Sequence, residues 1–149
     1  MKKLVYLISP NKIDKNFYSK LDAVLSYGNV KFFQLRLKKI KLIDLIKISK
    51  KIKKITLKHK VKFLINDNYM LVTKSKADGC HMGQLDGFVK EVKKKLKNKI
   101  VGVTCHNSKI LAKKAIKDKA NYIAFGSFYK STLKPNAKKA NLKILRWSK

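Results

Sequence analysis

Carboxylates are scarce in this chain. Asp and Glu together number 8 against 38 Lys and Arg, a formal net charge of +30 over 149 residues. Arginine is scarcer still, with only Arg36 and Arg146. The shortage of arginine argues against a specific nucleic-acid reader, because phosphate and base-edge recognition usually favours the guanidinium fork. The lysines are spread along the whole chain, mostly where helices would face water. That is a lysine-biased surface and not a binding stripe, although nonspecific attraction to polyanions at low salt follows from the charge. Two cysteines, Cys80 and Cys105, are too few for a disulfide framework. Each sits in an apolar run, as a small buried residue would, and no CxxC or Cys/His zinc spacing is present. No apolar run reaches membrane-spanning length. The run at residues 4–8 of the opening "MKKLVYLISP" is too short for the apolar region of a signal peptide, and no small-residue cleavage site follows. The expectation is a cytoplasmic protein with no membrane partner and no specific nucleic-acid partner.

Six short β-like runs are present: "LVYLISP" (4–10), "VKFFQLRL" (30–37), "VKFLIND" (61–67), "ADGCHMG" (77–83), "KIVGVTC" (99–105) and "NYIAFGSF" (121–128). Amphipathic helix patterns separate most of them. The longest carries Leu42, Leu45, Ile46, Ile48, Ile52 and Ile55 every three or four residues, with lysine on the other faces. A second begins near Asp86 and is expected to bury Phe88, Val89, Val92 and Leu96. A third begins near Asn107 or Ser108 and is expected to bury Ile110, Leu111, Ala115 and Ile116. The gap between the third and fourth runs is short, so the helix around residues 69–76 must be brief. Strand alternating with helix implies parallel strands joined by right-handed crossovers. About six βα units fit the chain, with no linker dividing them. Both an open doubly wound sheet and part of a (β/α)8 barrel match. A whole barrel usually needs roughly 200 residues or more.

In both architectures ligands bind at the carboxyl ends of the strands, and the unusual polar residues fall there. In "FFQLRLK", alternation puts Gln34, Arg36 and Lys38 on one face and Phe33, Leu35 and Leu37 on the other. The plain reading is an edge strand with a wet face. An arginine in a chain that otherwise uses lysine points instead to bidentate anion recognition. The third run ends in Asn66 and Asp67, and the fourth leads to Asp86. Two carboxylates on neighbouring strand ends suit a magnesium ion completed by waters and substrate phosphates. Each aspartate also precedes a helix and would serve as an N-cap. Asp78, at the entry to the fourth run, reads as a turn or strand-start residue. The fifth run offers Thr104 and His106, the latter either structural or catalytic. The sixth leads into "GSFYKSTLKP", whose Gly, Ser, Thr and Lys would cradle phosphate or form a polar loop stopped by Pro135; it lacks Walker spacing.

Taken in series, "QLRLK" (34–38), "LIND" (64–67), "ADGCHMGQLD" (77–86), "GVTCHN" (102–107) and "ANYIAFGSFYKSTLK" (120–134) resemble thiamine phosphate synthase, in the superfamily shared with the thiazole tautomerase TenI. The resemblance extends from the N-terminus to about Lys134. It implies a (β/α)8-type barrel that couples a pyrimidine-methyl diphosphate to a thiazole phosphate, releasing pyrophosphate. It implies that Gln34, Arg36, Lys38 and Asn66 hold the pyrimidine diphosphate and that Asp67 and Asp86 bind Mg²⁺. Thr104 stands where the family usually has serine near the diphosphate. Ser131 stands where threonine is common, Leu133 replaces a second threonine, and Lys134 completes an anion clamp. Arg36, Lys38 and Lys134 would carry catalysis by neutralising the leaving diphosphate.

The chain reads as one domain, an incomplete barrel of six βα units lacking strands 7 and 8 and the glycine-rich phosphate turn expected there. A truncated product or fragment is expected, folding weakly and turning over little. Two other readings stand beside the synthase. One is a TenI-like tautomerase using His106 as acid/base without magnesium. The other is a non-catalytic module binding a phosphate ligand or polyanion. Asp67, Asp86 and the intact "QLRLK" favour the synthase.

Overall fold

The structure, a computed structural model, describes residues 4–129 and 139–148. The chain forms two compact units, Met1–His81 and Met82–Lys149.

The first unit alternates strands β1 (Val5–Ile8), β2 (Val30–Leu35), β3 (Lys62–Asn66) and the start of β4 (Gly79–Met82) with helices α1 (Phe17–Ser26), α2 (Leu42–Lys58) and α3 (Leu71–Lys74). Each strand pairs in parallel with the next: Phe33 lies beside Phe63, Gln34 beside Leu64, and Asn66 beside His81. β2 is therefore flanked on both sides, which removes the edge-strand reading of its polar face. The apolar face behaves as alternation requires. Phe33 stacks on Phe63 with centroids 6.3 Å apart and meets Phe17 of α1. Leu21, Leu25, Ile52 and Val72 close the layer from the helices.

The long helix α2 has no side-chain N-cap, but Asp44 in its first turn and Lys58 in its last complement the macrodipole. Its buried seam is Ser49, Ile52 and Thr56. Leu45, Ile46, Ile48 and Ile55 are half-buried and Leu42 is exposed. The two hydroxyls can enter the interface because their protons return to the helix backbone, Ser49 to Leu45 O and Thr56 to Lys53 O. As expected, α3 is a single short turn.

The second unit contains α4 (Val89–Leu96), β5 (Ile100–His106), α5 (Lys109–Lys117), β6 (Tyr122–Phe125) and α6 (Lys143–Trp147). β5 and β6 are parallel, with Gly102 beside Tyr122 and Thr104 beside Ala124. Gly102 is required by close approach: a Cβ there would lie 1.9 Å from the Tyr122 ring. Ser108 caps α5, its hydroxyl accepting from Leu111 N–H at 3.2 Å. The buried residues of α4 are Val89 and Val92, and those of α5 are Ala112 and Ala115. Phe88, Ile110 and Ile116 are exposed, contrary to the helical pattern. α5 packs through its alanines, which let it approach the strands closely, so the larger residues beside them lie on the flank. Phe88 is the N-cap of α4, outside the helix proper, and its ring lies under the Lys114 ammonium at 5.3 Å.

Candidate active site

The polar residues of the first unit gather where β1, β2 and β3 end. Gln34 is only 3% exposed. Its Oε1 accepts from the Tyr6 hydroxyl at 2.8 Å, and its Nε2 donates to Asn66 Oδ1. Three adjacent strands thus fix both amides. Tyr6 is held in turn by stacking on Phe32 and by an edge contact with His81, centroids 5.6 and 6.3 Å apart.

Arg36, one residue past β2, is 8% exposed. Its backbone N–H donates to Ser9 Oγ at 2.9 Å and its Nη1 donates to Asn11 Oδ1 at 3.1 Å. Its Nε is buried without an acceptor. Among the described residues the salt bridges involve other side chains, so no carboxylate neutralises this guanidinium. Buried arginines are usually paired, and an unmet buried donor costs about 1–3 kcal/mol, more for a charged one. Lys38, two residues on, is exposed and also outside those salt bridges.

Asp67 follows β3 with φ of 62°, a left-handed conformation that aspartate tolerates better than most residues. Its N–H donates to His81 O at 2.8 Å, so the chain turns at the strand exit while still tied to β4. The α3 N-cap is Met70, so Asp67 does not occupy that position. Asp78 sits at the entry of β4, as expected, and both its oxygens lie 2.8 Å from Lys53 Nζ.

In the second unit, Asp86 Oδ2 accepts from Gly83 N–H at 2.6 Å, a contact helped by glycine, since a Cβ there would lie 3.0 Å from that oxygen. The α4 N-cap is Phe88, so Asp86 too is not the cap. Gln84 Nε2 donates to Thr104 O. Thr104 and His106 are half-buried on β5, His106 with φ of 51°. Ser131 and Lys134 lie outside the described residues. Cys80 and Cys105 are buried as expected and neither is in a disulfide, and burial pushes the Cys105 thiol up to about 11.

Sequence reasoning missed Tyr6, Ser9 and Asn11. The available signal was position: they lie on and just past the first strand, whose carboxyl end faces the same rim as that of β2. Among the described residues no three His, Cys, Asp or Glu side chains gather as a closed metal centre. The two acids near strand exits offer hard oxygen donors. Asp67 and Asp86 are both partly exposed, and Asp86 accepts from Gly83 N–H through Oδ2. Each is the kind of donor Mg²⁺ accepts, an ion that takes one or two carboxylates and keeps waters or phosphates for the rest.

Parallel strand–helix units with their polar side chains collected at the strand exits define an α/β protein of barrel type, a class that works from those exits. The chain belongs to the thiamine monophosphate synthase family, whose model matches residues 5–149. It is 58% identical over 146 residues to the thiamine-phosphate synthase of Pelagibacter ubique, covering 97% of this chain and 70% of that protein. Against the thiamine-phosphate synthase of Erythrobacter litoralis the identity is 37% over 148 residues, covering 96% and 70%. The solved thiamine phosphate pyrophosphorylase of Pyrococcus furiosus superimposes with a TM-score of 0.84 over 98% of this chain and 69% of that one, at 24% identity, which establishes the shared fold. The chain is accordingly an enzyme of the transferase class, and it spans about 70% of the length of these relatives.

Proposed function

We propose that this enzyme joins a hydroxymethylpyrimidine diphosphate to a thiazole phosphate, giving thiamine phosphate and pyrophosphate, in the cytoplasm. The observation that carries the reading is Arg36: a buried guanidinium with a bare Nε and no carboxylate partner among the described residues. A site that costs folding energy in this way is matched to an anion that arrives later. Gln34 and Asn66 hold the pyrimidine diphosphate, the Gln34 amide fixed by Tyr6 and the Asn66 amide by Gln34. Arg36 and Lys38 take the diphosphate oxygens, and Thr104, Ser131 and Lys134 are the further residues assigned to binding it. Asp67 and Asp86 would hold Mg²⁺, which would supply positive charge for the departing diphosphate.

The chemistry asks little of acid–base groups. Charge develops on the leaving oxygens, so preset cationic donors lower the barrier. The aminopyrimidine supplies its own electrons, and the protein places the two partners together. The TenI-like reading, with His106 as acid/base and no magnesium, makes no use of Asp67.

The decisive experiment has two readouts. Calorimetry with the pyrimidine diphosphate is expected to show binding that requires Mg²⁺ and is lost in Asp67→Ala. Pyrophosphate release in the presence of thiazole phosphate is expected to fall with it. Metal-independent binding unchanged in Asp67→Ala would favour the tautomerase. Binding that falls steeply with salt and yields no product would favour a polyanion-binding module.

A further inference from the structure

We infer that Ser9 and Asn11, in the loop leaving β1, are positioning residues for Arg36, holding its guanidinium so that Nη2 is offered to diphosphate. The inference rests on the reading of Arg36 as a diphosphate ligand. Ser9 is buried and tied to β2 at both ends. Its N–H donates to Gln34 O at 2.9 Å, and its Oγ accepts from Arg36 N–H at 2.9 Å while donating to Pro10 O at 3.1 Å. This continues β1–β2 registry one step beyond the sheet and fixes the Arg36 main chain.

Asn11 then fixes the head group. Its Oδ1 accepts from Nη1 at 3.1 Å. A planar guanidinium has two forks facing two different directions, one made by Nη1 with Nη2 and one by Nε with Nη2. Asn11 occupies an Nη1 proton, while Nε is left buried and bare. Nε is enclosed, so the donor a phosphate oxygen can reach is Nη2, on the edge that Asn11 holds through Nη1. The neutral amide suits this work. A carboxylate at position 11 would anchor the same nitrogen but cancel the charge the ligand needs.

The scarcity of arginine makes the test direct. With Arg36 and Arg146 the only arginines, a ¹⁵N-Nε spectrum holds two side-chain signals, and Arg146→Lys assigns them. Magnesium pyrophosphate is titrated at about 0.2 M salt, which screens the exposed lysines. The wild-type Arg36 signal is expected to shift and saturate. In Asn11→Ala the dissociation constant should rise about tenfold, with the unliganded Arg36 signal displaced or broadened. Because Asn11 is exposed, the melting temperature should barely move. Asn11→Asp should weaken binding at least as much while melting no lower than wild type, separating positioning from folding. Ser9→Ala should displace the same signal.

If Asn11→Ala binds within about twofold of wild type while Arg36→Lys loses tenfold or more, the positioning role is wrong and the reading of Arg36 stands. If saturating pyrophosphate leaves the wild-type Arg36 signal unmoved, the reading of Arg36 falls, and the positioning role with it.

Discussion

Asp78 is expected to be the most costly carboxylate to remove. Both its oxygens lie 2.8 Å from Lys53 Nζ on α2, and Oδ2 also accepts from Phe63 N–H on β3 at 2.8 Å. Its own N–H returns to Phe63 O, also at 2.8 Å. The two charged side chains are 20% and 23% exposed, and Phe63 is fully buried. Breaking a fully buried pair costs about 3–5 kcal/mol. The remaining exposure lets Lys53 recover part of its hydration, which lowers the figure for Asp78→Asn to about 2 kcal/mol. Asp78→Ala also strands the Phe63 N–H, for a total of about 3 kcal/mol. For a chain of this size that is a fall in Tm of roughly 6–12 °C. Urea and thermal melts measure it, and amide exchange at Phe63 should accelerate. The double variant with Lys53→Met should recover part of the loss, since the stranded ammonium goes too. Asp78→Ala within about 0.5 kcal/mol of wild type would refute the view that this carboxylate locks α2 to β3, three residues before Asn66.

Gly102→Ala should destabilise by about 1–3 kcal/mol or more, because the new methyl meets the Tyr122 ring. The loss should shrink on a Tyr122→Val background in urea melts. Asp22, bonded to His59 and Lys58, has its carboxyl held below the usual carboxylate range by those two partners, His59 first. A depressed folded-state pKa gives stability that is present above the unfolded value, near 4, and lost as pH falls through the folded one. Asp22→Asn should therefore flatten the acid limb of a Tm–pH profile and leave the alkaline limb alone. Cys105 has the opposite sense. Its thiol stays protonated to about 11 in the folded protein, while the unfolded thiol ionises near 8.5, so stability should decline as pH rises between those values. Both buried cysteines should resist a thiol reagent at pH 8 until denaturant is added.

The six strands were legible because each is a short apolar run bounded by turn or helix signals, and the face of β2 was legible because its residues alternate. The helix faces were less legible. In α5 the pattern Ile110, Leu111, Ala115, Ile116 reads as one apolar stripe, yet the small Ala112 and Ala115 make the contact and the isoleucines stay outside. Hydrophobicity ranks side chains by transfer energy, whereas helix–sheet packing also selects for size. The site was legible where it lies on a strand with clear alternation, as at Gln34 and Arg36. The β1 exit was invisible: Ser9 and Asn11 are ordinary loop residues until the parallel pairing of β1 with β2 brings them beside Arg36.

Rarity alone did not mark function. With 8 acids against 38 bases, a carboxylate that drew attention for its scarcity had every reason to be drawn into a structural pair. Asp22 and Asp78 are both such clasps, the first joining α1 to the end of α2 and the second joining α2 to the entry of β4. Each is the side chain a lysine-rich helix surface needs in order to be pinned in one place. Arginine is different, because the surface already has lysine for charge. Of the two arginines, Arg146 is exposed, whereas Arg36 is buried and lacks a carboxylate partner among the described residues. That placement costs the folded chain, since it strips water from a cation and leaves Nε without an acceptor. The uncancelled charge suits an anion that arrives as substrate. Arg36→Met should therefore raise Tm, or leave it unchanged, while abolishing Mg²⁺-dependent pyrophosphate binding; a large fall in Tm would mean that the guanidinium serves the fold instead.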